Sequence, residues 1–489
     1  MKGHSIRVYI AQWLLVALFT LPSLAQETPE AIKLKDESAT ALHSQGLSLY
    51  RKQEYAEALK LFEQVVAKDA SHAQGWLHVG LCLSRLRRYE EALDPIKKSS
   101  QLDPNSAYTF KQLQYVYGQL SRYHEAIEAG KQAIKLDPND ADTYNRLALN
   151  SERIERFKDE MEYNLQAIKL NPSHVYAHNG LGWAYYKLGR REEAIESFKQ
   201  AIKLRPNLSL AHNNLALTYV ALNRVQEAID EYRLAIKLDP ASTQPRVNLA
   251  QLSFRQKNYQ EAADQLKEAL RIKPDLPLRF NLAVAYYNLK RWEDAVAEAQ
   301  QALERKTVGP QAHFFIGEVY SRMGRFTEAL ESAKRGLQFM PESPQALLTL
   351  GLIYSQAGKY QESVEANLKA VKLNPDFAPA YNNLGMAYLN LGRYEEAIEA
   401  CAKALLLKPD MAEAHDSLGQ IYAKQGRHNE AVSAFQRAIS FKPDSATPHY
   451  NLGASFLQLG DKEGAMKEYK LLQTLDQEKA GELLKLIQK

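Results

Sequence analysis

The sequence predicts an all-α protein, a right-handed α-α superhelix built by stacking helix pairs. Three observations predict it: a unit of 34 residues that recurs along nearly the whole chain, small residues at matching places in its two halves, and a proline that closes each copy. A helix pair of this size cannot bury its apolar stripe alone, so repetition in register implies a continuous stack with a shared core.

The clearest copy runs from Ala378 to Met411. At 3.6 residues per turn, Tyr381, Leu384, Gly385 and Tyr388 share one face of a first helix. A second helix begins near Tyr394, passes through Ala397, Cys401 and Ala404, and stops before Pro409, which cannot continue a helix. Leu391-Gly392-Arg393 is the turn between them, and Gly385 and Ala397 are small because the helices approach closely there. The position of Gly385 recurs at Gly46, Gly80, Gln114, Ala148, Gly182, Ala216, Ala250, Ala283, Gly317, Gly351, Gly419 and Gly453. Every step is 34 residues except Ala250 to Ala283, which is 33.

The order bulky-x-x-Leu-Gly-x-x-Tyr, then Ala-x-x-x-Phe-x-x-Ala, then Pro, resembles the tetratricopeptide repeat. Leu181-Gly182, Tyr185, Ala194, Phe198, Ala201 and Pro206 show it plainly. The resemblance covers about thirteen repeats over 39–476. It implies that first helices line a concave face and second helices a convex one.

Residues 1–25 stand outside the repeats. Lys2 and Arg7 precede an apolar run, Val8 to Leu21, that Pro22 ends, and Ser23-Leu24-Ala25 before Gln26 fits a secretory signal cleaved between Ala25 and Gln26. The run is short against the ~20 residues a transmembrane helix needs. The expectation is therefore an exported protein, periplasmic or secreted, with no membrane insertion after cleavage; an uncleaved anchor through residues 8–21 is the alternative. No cysteine follows the run, which argues against a lipoprotein anchor. Residues 26–38 form a polar lead-in.

Within the array, Gln114 at a small position should loosen its pair or be accommodated by a neighbouring glycine. The fourth repeat, 141–174, departs most: Ser151 replaces the tyrosine and Glu160 the alanine, so this is the expected soft spot. A carboxylate there should turn outward or pair with a base such as Arg146 or Arg153. The one-residue deletion and the missing proline suggest a mild articulation at 273–310. Residues 477–489 place Ala480, Leu483, Leu484 and Ile487 on one helical face, the pattern of a capping helix.

Net charge is +4, of which Lys2 and Arg7 supply half, so neither sign dominates, which argues against nucleic acid as the main partner. The repeated Arg/Lys-Tyr-Glu-Glu segments read as a solvated face. Cys82 and Cys401 lie on core faces nine repeats apart and are expected as buried free thiols. Catalytic signals are missing: Gly180-Leu181-Gly182 lacks the third glycine of a dinucleotide fingerprint, and His124-Glu125 lacks the second histidine of a zinc helix. His178, His212, His313, His415 and His449 share the position held by Trp76, Phe110, Tyr144 and Tyr381, so packing explains them better than a metal. No enzyme, cofactor or metal site is expected.

The candidate binding residues face away from the helix-pair core. Asn214, Asn248, Asn281, Asn383 and Asn451 sit two residues before the small position. An amide offers donors and an acceptor together and can hold an extended peptide backbone. In long arrays of this family such a ladder lines the concave groove; the alternative is that these amides only bond neighbouring turns. Trp183, Tyr186, Phe254 and Tyr287 fall on the same face and could form apolar pockets. Lys111 matches one place of the family's carboxylate clamp, but Tyr115 stands where asparagine should be, so a chaperone C-terminus is not the expected partner. The expectation is a non-catalytic scaffold for proteins or extended peptides, in an envelope or secretion assembly, with a membrane-tethered assembly factor as the alternative. The ladder is also similar to the targeting arm of O-GlcNAc transferase, whose catalytic domain the dozen residues after the last repeat cannot hold.

Overall fold

The computed structural model describes residues 38–488, so the expected signal, its Ala25/Gln26 cleavage site and most of the lead-in lie outside the described residues. Among the described residues there are 27 helices and no strand: thirteen antiparallel pairs and a final single helix, Gln477–Gln488. None of these helices is long and apolar enough to cross a membrane. The chain divides into two compact units at Thr218/Tyr219, inside the helix Ser209–Ala221.

The local reason for each pair is the same. A first helix ends and the chain reverses through one residue with positive φ, which falls at Gln53, Arg87, Ser121, Glu155, Gly189, Asn223, Lys257, Lys290, Gly324, Gly358, Gly392, Gly426 and Gly460. That conformation suits glycine; at the other positions an L-residue accepts roughly 1–2 kcal/mol of backbone strain to keep the turn. The next helix opens on an arginine in most repeats. Arg88 and Arg122 each pair with the glutamate three residues on, at 2.5 and 2.7 Å. Where a tyrosine ends the inner face of the first helix, the same arginine also lies over its ring: 4.9 Å for Arg122 on Tyr117, 4.3 Å for Arg291 on Tyr286, 4.5 Å for Arg393 on Tyr388. In those repeats the charged segments clamp the start of the second helix, besides facing water.

Packing between the two helices of a pair depends on size exchange. A Cβ added to Gly385 would sit 2.4 Å from the Cys401 Sγ and 3.0 Å from the Ala397 carbonyl. The third repeat reverses the arrangement. Gln114 is 1% exposed, and Gly130 faces it, so near that a Cβ there would lie 2.5 Å from the Gln114 Nε2. The pair stays closed because the bulk has moved from one helix to the other. Cys82 and Cys401 are both buried and free, and burial pushes each thiol up to about 12.

In the first unit, residues 38–218, first helices touch first helices from pair to pair (Ala107–Gln119 with Ala141–Arg153, and that helix with Val175–Lys187), so they form the closely spaced inner layer. The second unit repeats this among Ala312–Arg322, Pro344–Gln356, Ala378–Asn390, Ala412–Lys424 and Ala446–Gln458. Residues 273–310 lie inside this unit, where the first helices are shorter: Arg279–Asn288 and then Ala312–Arg322. The final helix buries Ala480, Leu483 and Ile487 against Ala465 and Leu472.

Candidate functional site

The inner layer has a regular cross-link that its sequence does not announce. Side chains 35 residues apart meet between successive first helices: Asn214 Nδ2 donates to Asn179 Oδ1 at 3.3 Å, Ser321 Oγ to Gln356 Oε1 at 2.6 Å, and Asn451 Nδ2 to Asp416 Oδ1 at 3.2 Å. The offset is one residue more than the repeat.

The histidines that share one position also have a common partner. His178, His212, His415 and His449 place Nε2 2.9–3.0 Å from the carbonyl of the proline six residues earlier (Pro172, Pro206, Pro409 and Pro443). Trp76 Nε1 makes the equivalent bond to the Ala70 carbonyl at 3.0 Å. In these five repeats a ring N–H at this position ties the first helix to the loop before it. Lys111 is likewise occupied, bridging Asp137 and Asp140 at 2.9 and 2.7 Å.

The inner face of the first unit carries a cleft of about 390 Å³. Its walls come from three successive first helices, with Asn145, Leu149, Glu152 and Arg153 on one, Tyr176, Asn179 and Trp183 on the next, and Asn214 on the third. Its floor is the second helix Phe157–Leu170, which contributes Glu160 and Asn164. The cleft is where the fourth repeat lost its usual bulk: Ser151 stands at the tyrosine position, and Asn164 where the next repeat has Phe198.

Here one expectation is corrected. Glu160 neither turns outward nor pairs with Arg146 or Arg153. It is 2% exposed, and its Oε2 has no hydrogen-bond partner. Its Cα lies on the face of the second helix that packs against the first, so the side chain points into the floor of the cleft, and Arg146 instead lies over the Tyr115 ring at 5.7 Å. Burial, and next the charge of Glu152, push the Glu160 carboxyl up to about 9; Lys187 opposes this. Glu152 is raised as well, chiefly by burial. Asn164 is 1% exposed and accepts from Asn145 Nδ2 at 3.0 Å. The Trp183 indole N–H is buried near the Glu152 carboxylate, yet stops short of hydrogen-bond geometry.

Of the nine residues expected to bind, Trp183 and Asn214 line this cleft. Tyr186 stacks on Trp183, ring centroids 5.3 Å apart and nearly parallel. The others belong to the second unit. Asn248 is buried and accepts from Gln244 Nε2 at 2.9 Å. Asn281 is exposed, Asn383 half-buried, and Asn451 bonded to Asp416 as described. Phe254 packs edge-on against Tyr259 and Tyr287 against Trp292, and the Tyr287 hydroxyl donates to Glu318 at 2.5 Å. Asn145, Asn164 and Asn179 were not among the expected residues, although Asn145 and Asn179 sit one position from the ladder, a usable signal; Asn164 lies on the second helix.

Comparison with known families settles what the pairs are. A model described as tetratricopeptide repeat matches residues 43–107, 162–209, 179–243 and 213–277, and a second of the same description matches 115–140. Over these stretches the chain is built of tetratricopeptide repeats. The model of the C-terminal domain of cilia and flagella-associated protein 70 matches residues 281–474. Among solved structures, a tetratricopeptide repeat protein from Parabacteroides merdae is 20% identical with a TM-score of 0.44, covering 50% of this chain and 99% of its own. The Cut9-Hcn1 hetero-tetramer of APC/C is 14% identical at 0.41, covering 87% and 97%. Yeast Tom70 is 14% identical at 0.39, covering 90% and 98%. A comparison with curated proteins returns no match. Tetratricopeptide repeats of this kind form scaffolds typical of protein-interaction proteins, and the repeats here have that architecture.

Proposed function

We propose that the protein is a non-catalytic scaffold that holds an extended protein segment along the inner face of its repeats. The observation that carries this is the first-unit cleft. There, amides of Asn145, Asn179 and Asn214 stand on three consecutive first helices beside the stacked Trp183–Tyr186 pair. A peptide backbone needs alternating donors and acceptors at a spacing that successive helices can supply, and aromatic rings supply apolar area with little loss of side-chain freedom.

The setting proposed is an envelope or secretion assembly reached by export. It rests on the basic n-region, the apolar run and the Ala25/Gln26 pattern, and is checked by sequencing the N-terminus of the mature chain. Gln26 supports the cleaved form; Met1 would favour the tethered one.

The binding reading is tested by capture from envelope extract with the wild type and with a triple variant, Asn179→Ala, Asn214→Ala, Trp183→Ala, whose helicity is first shown to match. Loss of the wild type's partner in the folded variant supports the inner face. Equal retention removes it as the site.

A further inference from the structure

We propose that the cleft in the fourth and fifth repeats is a receptor for a cationic side chain, a lysine ammonium carried on the extended segment, seated between Glu160 and Glu152. This deepens the inner-face reading and rests on it.

Glu160, at an alanine position, places a carboxyl group out of water without any partner for its Oε2. An unsatisfied buried acceptor is destabilising, and a second carboxylate nearby makes it more so. Such a pair is retained at lowest free energy when something else completes it. The cleft is open to the inner face, so the completing group can come from outside.

The protein's own cations do not complete it. Lys187 lies over the rings of Trp183 and Phe157, at 5.2 and 5.3 Å, and Arg153 stands at the wall; neither forms an ion pair with Glu160 or Glu152. Arg156 is held by Asp159 at the start of the second helix. The charged groups facing Glu160 are therefore Glu152 and Arg153 from the first helix of its repeat and Lys187 from the first helix of the next.

A lysine suits this arrangement. Its ammonium has three donors and no acceptor, and the floor holds a buried carboxyl oxygen without a donor. Its methylene stem can lie along Leu149 and Trp183, with the Asn179 and Asn214 amides lining the same cleft beside the adjoining backbone. Near neutral pH the Glu160 carboxyl holds its proton in the empty cleft. Entry of an ammonium makes the carboxylate the favoured form, so the carboxyl proton leaves to solvent as the ion pair forms. No bond other than that O–H is broken.

Isothermal titration of the full chain near neutral pH tests this, with a short blocked glycine-alanine peptide carrying one central lysine and the same peptide with norleucine there. Running each in phosphate and in Tris reports protons exchanged. The lysine peptide is expected to bind roughly tenfold or more tightly than the norleucine peptide and to release about one proton. Glu160→Gln, which keeps size and removes the charge, is expected to abolish both the preference and the release. Equal binding of the two peptides, or a lysine preference without proton release that Glu160→Gln leaves intact, overturns the receptor while leaving the groove standing. Failure of both peptides to bind the wild type overturns the receptor and the groove together.

Discussion

Glu160 occupies the place that Ala126 and Ala194 hold in the adjoining repeats, and its chemistry gives the fold a pH response. In the unfolded chain its carboxyl titrates near the usual 4.5, whereas in the fold burial holds it near 9. Between those values the folded chain keeps a proton that the unfolded chain has lost. Stability from this group is thus complete below about 4.5, falls as pH rises, and stops falling above about 9. The slope is at most about 1.4 kcal/mol per pH unit. Glu160→Gln removes the titration, so denaturant titrations across that range should show the variant gaining on the wild type as pH rises; a constant difference would mean the carboxyl is ionised in the fold. The sequence singled out this residue but offered it solvent or an arginine, because residue type alone does not reveal that Arg146 is occupied by Tyr115. The shared histidine position was legible as packing. Its bond to a proline carbonyl was not, since that depends on how the loop between repeats folds back.

At the scale of the helix pair, almost everything was written in the period. The small residues, the closing prolines and the turn positions all follow from the need of two helices to approach closely and then reverse. The bulk exchange between Gln114 and Gly130 shows the rule holding even where its usual residues are swapped. Gly385→Ala tests it: the new Cβ meets both the movable Cys401 thiol and the immovable Ala397 carbonyl. We expect a loss of about 1–3 kcal/mol, read from unfolding midpoints, with only part recovered when Cys401→Ala is added. No loss at all would show that something other than close approach selects glycine there. The 35-residue cross-links were beyond the sequence because the repeat length fixes which positions correspond, not which side chains meet between successive first helices.

For the molecule, the array gives each unit a closely spaced layer of first helices and a second layer behind it. The first unit's inner layer carries the cleft, and the sequence found two of its walls through Trp183 and Asn214. It did not find the floor, because the floor comes from a second helix and belongs to the one repeat that breaks the pattern. That coincidence of irregular repeat and open cleft is why function is placed there. The most direct measurement is photo-crosslinking in the cell that makes the protein, with a benzophenone side chain at Tyr176 on the inner face or at Lys199 on a second helix. Tyr176 is half exposed and lines the cleft, and Lys199 is about as exposed. The account predicts a discrete partner adduct from position 176 and none from 199; an adduct from 199 alone would contradict it.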